Sequence, residues 1–307
     1  MTPARAVVFA YHDVGVRCLS VLLAHEIDIP LVVTHRDSPS EHIWFGSVDR
    51  LAREHDLDVE MPDDPNTSTF VERLRAIAPD FLFSFYYRHM LSPEVLATAS
   101  RGAFNVHGSL LPKYRGRVPV NWAVLQGEHE TGATLHLMAV KPDAGDIVDQ
   151  AAVPILPDDL AVDVFRKVTT AAEIVLNRSL PAILEGTAPS VRQDLSKGSY
   201  FGGRRPEDGR IDWSKGARSI HDLVRAVAPP YPGAFTEFKG RRLGILRTRV
   251  LEGRSGAATA RLSINNGIAE VDCAGGGQLR ILELALDGQP SDARALLQPF
   301  GPGPHPL

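Results

Sequence analysis

A chain of 307 residues, 44% of them hydrophobic, exceeds the usual size of one domain and can bury the cores of two. Charged residues make up 23% and the formal net charge is -4, a balance that supplies no global attraction to nucleic acid or to an anionic membrane. Cys18 and Cys273 are the two cysteines; they provide neither a disulfide framework nor metal-ligand spacing, so a reducing cytoplasm and no metal are expected.

The N-terminal run MTPARAVVFAYHD is too short for a signal core or a membrane span, and no later segment reaches about 18 uninterrupted apolar residues. A soluble protein without membrane insertion is expected. Residues 6–10 form a β-branched, apolar run, 15–25 are apolar-periodic, and 29–33 are again apolar: strand, helix, strand. The pattern recurs with helical stretches at 68–78 and 92–99 leading into strand-like runs at 81–85 and 104–106. Such alternation predicts an α/β fold with a Rossmann-like, mostly parallel sheet and helices on both faces, whose ligands bind beyond the carboxyl ends of the strands. Strands are expected at 131–138 and 147–155, and one long amphipathic helix at 160–184. Residues 186–209, rich in Gly, Pro, Ser and Arg, read as a linker or an ordered crossing loop. After a helix at 219–226 come short strands at 234–238, 241–248, 259–264, 268–273 and 279–286, which predict a small, OB-like C-terminal β-barrel. The tail, 299–307, is expected to be poorly ordered. The boundaries predicted from this pattern are a catalytic domain at 1–188, a linker or crossing loop at 189–209, and the barrel at 210–307.

The most informative segment is FNVHGSLLPKYRGRVPVNW, residues 104–122. It begins as a strand, so Asn105 and His107, two residues apart, share a face at its end. A second loop, AVKPDAGDI at 139–147, presents Asp143 close to Gly145. Asn105 can donate to a developing oxyanion, His107 can move a proton, and a carboxylate beside the ring would favour its protonated form. The same residues also suit bland roles: a structural or surface histidine, a turn asparagine, a solvated loop carboxylate or Asx turn. Other chemistry lacks its signatures. GxGxxG, GxxxxGK[ST], HExxH and GxSxG are absent, residues 275–277 read as a hairpin turn, and neither cysteine has a catalytic context.

The literal text adds a resemblance. An asparagine, a histidine two residues later, a serine-leucine-leucine-proline loop and a downstream Asp-x-Gly resemble the signature of the folate-dependent formyltransferases, the family of the glycinamide ribonucleotide, methionyl-tRNA and nucleotide-sugar formyltransferases. Here these are Asn105, His107, residues 109–112, and Asp143 with Gly145. The segments VVFAYHDVG, FSFYYRHM, HGSLLPKYRGR, FGGRRPEDG and VRAVAPPYPGAF are similar to the branch that formylates UDP-4-amino-4-deoxy-L-arabinose in lipid A modification and polymyxin resistance. The resemblance spans nearly the whole chain. It implies Asn105 as oxyanion stabiliser, His107 as proton donor and Asp143 as the group that tunes the histidine. It implies that 10-formyltetrahydrofolate, the formyl donor, lies against His89, Met90 and Leu91, Arg117, and the loop of Ala139, Val140, Lys141, Pro142 and Asp143. For the nucleotide end of a UDP- or dTDP-linked acceptor, Arg204, Arg205, Arg225 and Tyr231 are the candidates. For the two adjacent arginines a solvated basic turn, and for Arg225 a helix-end cation, are the competing roles.

A methionyl-tRNA acceptor would require a basic surface, against which stand the acidic balance and the sparsely basic stretch 37–49. A non-catalytic folate or sugar-nucleotide binding module would not require Asn105, His107 and Asp143 together. Bifunctional relatives of that branch carry a decarboxylating dehydrogenase half, so a separate enzyme of that type is expected in the same pathway.

Overall fold

The computed structural model describes residues 3–39, 41–252 and 258–307; the first two residues of the N-terminal run and one residue of the stretch 37–49 lie outside these. The chain divides into two compact units. Unit 1 comprises Met1–Pro119, Glu130–Val153 and Phe165–Gly202, and unit 2 comprises Val120–His129, Pro154–Val164 and Gly203–Leu307. Residues 189–202 thus fall in unit 1 and 203–209 in unit 2.

In chain order the first elements are β1 (Arg5–Ala10), α1 (His12–Ala24), β2 (Asp28–Val33), α2 (Val48–Glu54), β3 (Val59–Glu60), α3 (Ser68–Ile77), β4 (Phe81–Phe85), α4 (Pro93–Leu96) and β5 (Gly102–His107). They are followed by β6 (Arg115–Gly116), α5 (Pro119–Leu125), β7 (Glu130–Leu137), β8 (Ile147–Pro154), α6 (Ala161–Glu185) and β9 (Tyr200–Phe201). Sequence supplies the helix starts locally. Thr67 and Ser92 accept from the backbone N–H three residues on, and Pro93 occupies the first turn of α4, where its missing N–H costs nothing. The helix expected at 92–99 is consequently real but short.

The sheet of unit 1 runs β3-β2-β1-β4-β5-β7-β8, with β1 to β5 parallel and β7 antiparallel to β5. Every residue of β4 is buried, the near-continuous apolar run of a strand covered on both faces. Val7, Leu82 and Ala103 pack with Phe70, Val71 and Leu74 of α3 on one face, while Phe83 and Phe104 stack on the other at 5.7 Å. The chain leaves β1 towards β2 and returns to β4 on β1's other side, so the switch point lies between the carboxyl ends of β1 and β4.

Unit 2 carries α7 (Ala217–Val227), β10 (Ala234–Phe238), β11 (Arg241–Leu251), β12 (Arg261–Asn265), β13 (Ile268–Asp272), β14 (Gln278–Leu286), β15 (Gln289–Ser291), α8 (Ala293–Phe300) and β16 (His305–Pro306). Its strands form a curled antiparallel half-barrel of order β10-β11-β14-β13-β12-β16, with β15 paired to β14. Residues 275–277 make the β13–β14 turn, where Gly276 and Gly277 take φ of 100° and 79°. The tail departs from expectation: its first residues close α8, and His305 and Pro306 pair with Leu262 and Arg261 of β12. Pairing to an available edge outweighs the local disorder signal of its prolines and glycines.

Candidate active site

On the face of the sheet that carries the α3 core, one row changes character. Register aligns Phe9, Ser84, Asn105 and His136 across β1, β4, β5 and β7, and the next residue on that face of β5 is His107, opposite Thr134. Polar side chains inside a covered sheet are costly unless each finds a partner. Asn105 Nδ2 lies 3.1 Å from His136 Nε2, and His136 Nδ1 donates to the Leu137 carbonyl oxygen at 2.8 Å. His107 Nε2 donates to the Tyr114 carbonyl oxygen at 2.8 Å, and its Nδ1 faces Asp143 Oδ1 at 3.5 Å. Both groups that face the His107 ring nitrogens, a carbonyl oxygen and a carboxylate oxygen, are acceptors. Burial pushes the pKa of His136 down to about 4, against the opposing pull of Asp143 3.8 Å away.

The approach of Asp143 is a tertiary achievement. Because β7 runs antiparallel to β5, its last residue, Leu137, sits opposite Phe104, and the loop that follows must fold back over the face to reach His107. Gly145 makes this possible, since a Cβ there would meet the Leu137 carbonyl oxygen at 1.8 Å. Gln193 Nε2 donates to the carbonyls of Asp143 and Gly145, and Gly116 N–H donates to Asp143 Oδ2 at 2.8 Å. Asp143 itself takes a left-handed φ of 51°.

The loop after His107 is pinned from several sides. Ser109 Oγ donates to the Lys113 carbonyl and Thr134 Oγ1 to that of Ser109, while Gln150 Nε2 donates to Leu111 O and Thr134 Oγ1. Beyond it, β6 pairs in parallel with β9, Tyr114 N–H donates to Ser199 Oγ, and Tyr114 stacks on Phe201 at 5.4 Å. Gln193, Ser199 and Phe201 therefore pack against the Asp143 and Tyr114 loops of this site. His136, Gln193, Ser199 and the Tyr114 carbonyl were not singled out from sequence. For His136 a signal existed: it alternates with Thr134 along one face of β7.

The residues expected at the folate are on the loops after β4, β6 and β7. His89 stacks near His35 at 5.0 Å, Met90 is exposed with its carbonyl accepting from Asn66 Nδ2 at 2.9 Å, and Leu91 is buried in the α3 core. His35 Nε2 accepts the Arg88 N–H, and burial pushes its pKa down to about 4. Arg117 N–H donates to Phe201 O. In the 139–143 loop Val140 is 71% exposed. A cavity of about 270 Å³ lies beyond β1 and β2, lined by Tyr11, Thr34, His35, Asp37 and Phe45 among others. Among the described residues no cluster of side chains is arranged to hold a metal ion, and no helix is long and apolar enough to cross a membrane.

In unit 2, the Arg204 guanidinium lies over the Trp122 ring at 4.9 Å and donates to Asp208 O, and the exposed Arg205 has its N–H held by Asp208. Tyr231 hydrogen-bonds Asn121. Arg225 does not match its expected place at the nucleotide. It is buried, ion-paired with the equally buried Asp222 at 2.7 Å, and directed at the carbonyls of Leu156 and Asp159. A buried carboxylate one helical turn away claims the guanidinium.

The mostly parallel sheet, with Asn105, His107 and Asp143 gathered at the end of β5, has the architecture of an α/β enzyme whose polar cluster lies at the carboxyl ends of its strands. A model of the formyl transferase family matches residues 23–180 and one of the formyl transferase C-terminal domain matches residues 204–301; the first alone spans over half of the chain, which belongs to the formyl transferase family. The chain is accordingly a formyltransferase. Its fold is similar to an N-formyltransferase from Helicobacter canadensis in complex with folinic acid and dTDP-3-aminofucose, at TM-score 0.73 and 18% identity over 94% of this chain and 100% of that one. It is also similar to the sugar 3N-formyl transferase WlaRD, in the presence of dTDP and 5-N-formyl-THF, at TM-score 0.72 and 18% identity over 91% and 97%. A 4-N formyltransferase from Francisella tularensis aligns at TM-score 0.63 and 20% identity over 78% and 95%.

Proposed function

We propose that this enzyme transfers the formyl group of 10-formyltetrahydrofolate to the amino group of a nucleotide-linked aminosugar, UDP-4-amino-4-deoxy-L-arabinose being the first candidate. The observation that carries the chemistry is the convergence of Asn105, His107 and Asp143 on one covered face, with Asp143 Oδ1 3.5 Å from the His107 ring. The neutral amine attacks the formyl carbon and the carbonyl oxygen gains negative charge. Asn105 Nδ2–H and the protonated His107 stabilise that charge, each such donor being worth about 2.7 to 4 kcal/mol in barrier. As the intermediate collapses, the bond from carbon to the folate nitrogen breaks, that nitrogen takes a proton supplied by His107, and the proton lost by the new amide nitrogen restores the one His107 gave. Both His107 nitrogens are engaged in this structure, so donation requires the ring to exchange the Tyr114 carbonyl for the reacting atoms, a tightening common between free and substrate-bound sites.

The sugar acceptor is supported by the segments quoted above and by the likeness to the Helicobacter canadensis enzyme, whose complex holds dTDP-3-aminofucose. Arg204 and Arg205 are the proposed phosphate contacts. The folate is proposed to lie along residues 89–91 and the exposed loop 139–143. A separate decarboxylating dehydrogenase in the same pathway would supply the precursor. The test is formylation of UDP- and dTDP-linked aminosugars and of methionyl-tRNA across a salt series. A pyrophosphate held by two arginines gives a shallow salt dependence, whereas many tRNA phosphates give a steep one. Preference for tRNA overturns the sugar reading, and activity confined to dTDP-sugars corrects the nucleotide.

A further inference from the structure

The reaction just described uses three polar side chains of the covered face. A fourth, His136, is joined to two of them. It is the direct cross-strand partner of Asn105 and is 2% exposed. Its Nδ1 meets the Leu137 carbonyl, which can only accept, so Nδ1 carries the ring proton. Burial disfavours the charged ring, with its pKa pushed down to about 4. Nε2 is therefore a bare lone pair, 3.1 Å from Asn105 Nδ2.

We infer that His136 is a positioning residue for formyl transfer: as the Nδ1–H tautomer it accepts one N–H of Asn105 and so holds the carboxamide with its NH2 end towards the forming oxyanion. The inference rests on the formyl-transfer reading above. The two ends of a carboxamide are nearly equal in shape and opposite in polarity, so a half-turn of the side chain would present an oxygen to the oxyanion and turn attraction into repulsion. The neighbours differ in their power to prevent that. Ser84, opposite Asn105 on β4, can donate or accept and does not discriminate. Asp143 accepts only, but its Oδ2 is taken by Gly116 N–H and its Oδ1 faces His107. A buried imidazole with one fixed tautomer offers Asn105 an acceptor and nothing else. Its neutrality also keeps it from competing with His107 for Asp143, 3.8 Å from Nε2.

Two measurements test this. Ring nitrogen NMR of the wild-type protein at neutral pH should show His136 protonated at Nδ1 and bare at Nε2; the opposite tautomer or a charged ring overturns the inference, and the result does not depend on any variant folding. The second is a double-mutant cycle on whichever acceptor the wild type formylates. His136→Phe should lower kcat about a hundredfold with little change in KM, the size of a lost oxyanion donor. His136→Gln, whose amide oxygen accepts from Asn105, should recover to within about tenfold of wild type. In an Asn105→Ala background, His136→Phe should cost less than about threefold, because no carboxamide remains to orient. An equal loss in both backgrounds, or a His136→Phe enzyme at the wild-type rate, overturns the positioning role alone. A wild type that formylates nothing overturns the formyl-transfer reading and this inference with it.

Discussion

Replacing Gly145 with alanine should pull Asp143 away from His107 while leaving the sheet intact. The added methyl would lie 1.8 Å from the Leu137 carbonyl oxygen and 2.7 Å from its carbon, both backbone atoms at the end of a strand paired to β5. Ordinary contact is near 3.4 Å. Since the strand cannot yield without breaking its ladder, the loop must retreat by roughly 1.5 Å, and Gln193, whose Nε2 holds the Asp143 and Gly145 carbonyls at 3.0 Å and 2.6 Å, loses its grip. Asp143 Oδ1 starts 3.5 Å from His107 Nδ1, so a retreat of that size ends the contact. A misplacement of about 1 Å costs on the order of a hundredfold in rate, or about 2.7 kcal/mol in barrier. The steric cost to stability should be about 1 to 3 kcal/mol, not enough to unfold the protein. The assay is kcat with 10-formyltetrahydrofolate and the preferred aminosugar nucleotide, beside a thermal unfolding curve. A normally folded Gly145→Ala enzyme working within about threefold of wild type would show that the loop's close approach does not set the histidine's partner.

Asn105→Ala and His107→Ala should each reduce kcat by about a hundredfold to a thousandfold with an unchanged fold, measured by turnover and circular dichroism; near-normal turnover in either removes that residue from the mechanism. Arg225→Met leaves Asp222 buried without its cation and should lower stability in urea by about 3 to 5 kcal/mol with no change in KM for the acceptor. A raised KM at undiminished stability would return Arg225 to the nucleotide. His12, His35 and His136 are held neutral by burial, with pKa values pushed from 6.5 down to about 3, about 4 and about 4. Their unfolded rings bind protons first, so stability should fall as pH drops from about 6.5 towards 4. The urea midpoint at pH 5 should lie below that at pH 7, and His12→Phe should narrow the gap; an undiminished gap in the variant refutes the assignment to His12.

Local periodicity determined much of this protein before any packing was known. The apolar runs at 6–10, 29–33 and 81–85 became β1, β2 and β4, the 160–184 pattern became α6, and the short strands after 234 became an antiparallel sheet, because two- and 3.6-residue repeats select which face can be buried. The same period placed Asn105 and His107 on one face of β5. What periodicity could not supply is pairing between distant segments. That Asn105 faces His136 depends on the register of β7, that Asp143 reaches His107 depends on the antiparallel direction of that strand and the missing Cβ of Gly145, and that residues 199–201 wall the site depends on β9 finding β6. Arg225 shows the same limit: exposed or buried, its sequence context reads alike, and only the packing around Asp222 decided that its charge is spent inside the fold. Register, strand direction and burial are settled by the free energy of the whole assembled core, to which each local segment contributes only its own face.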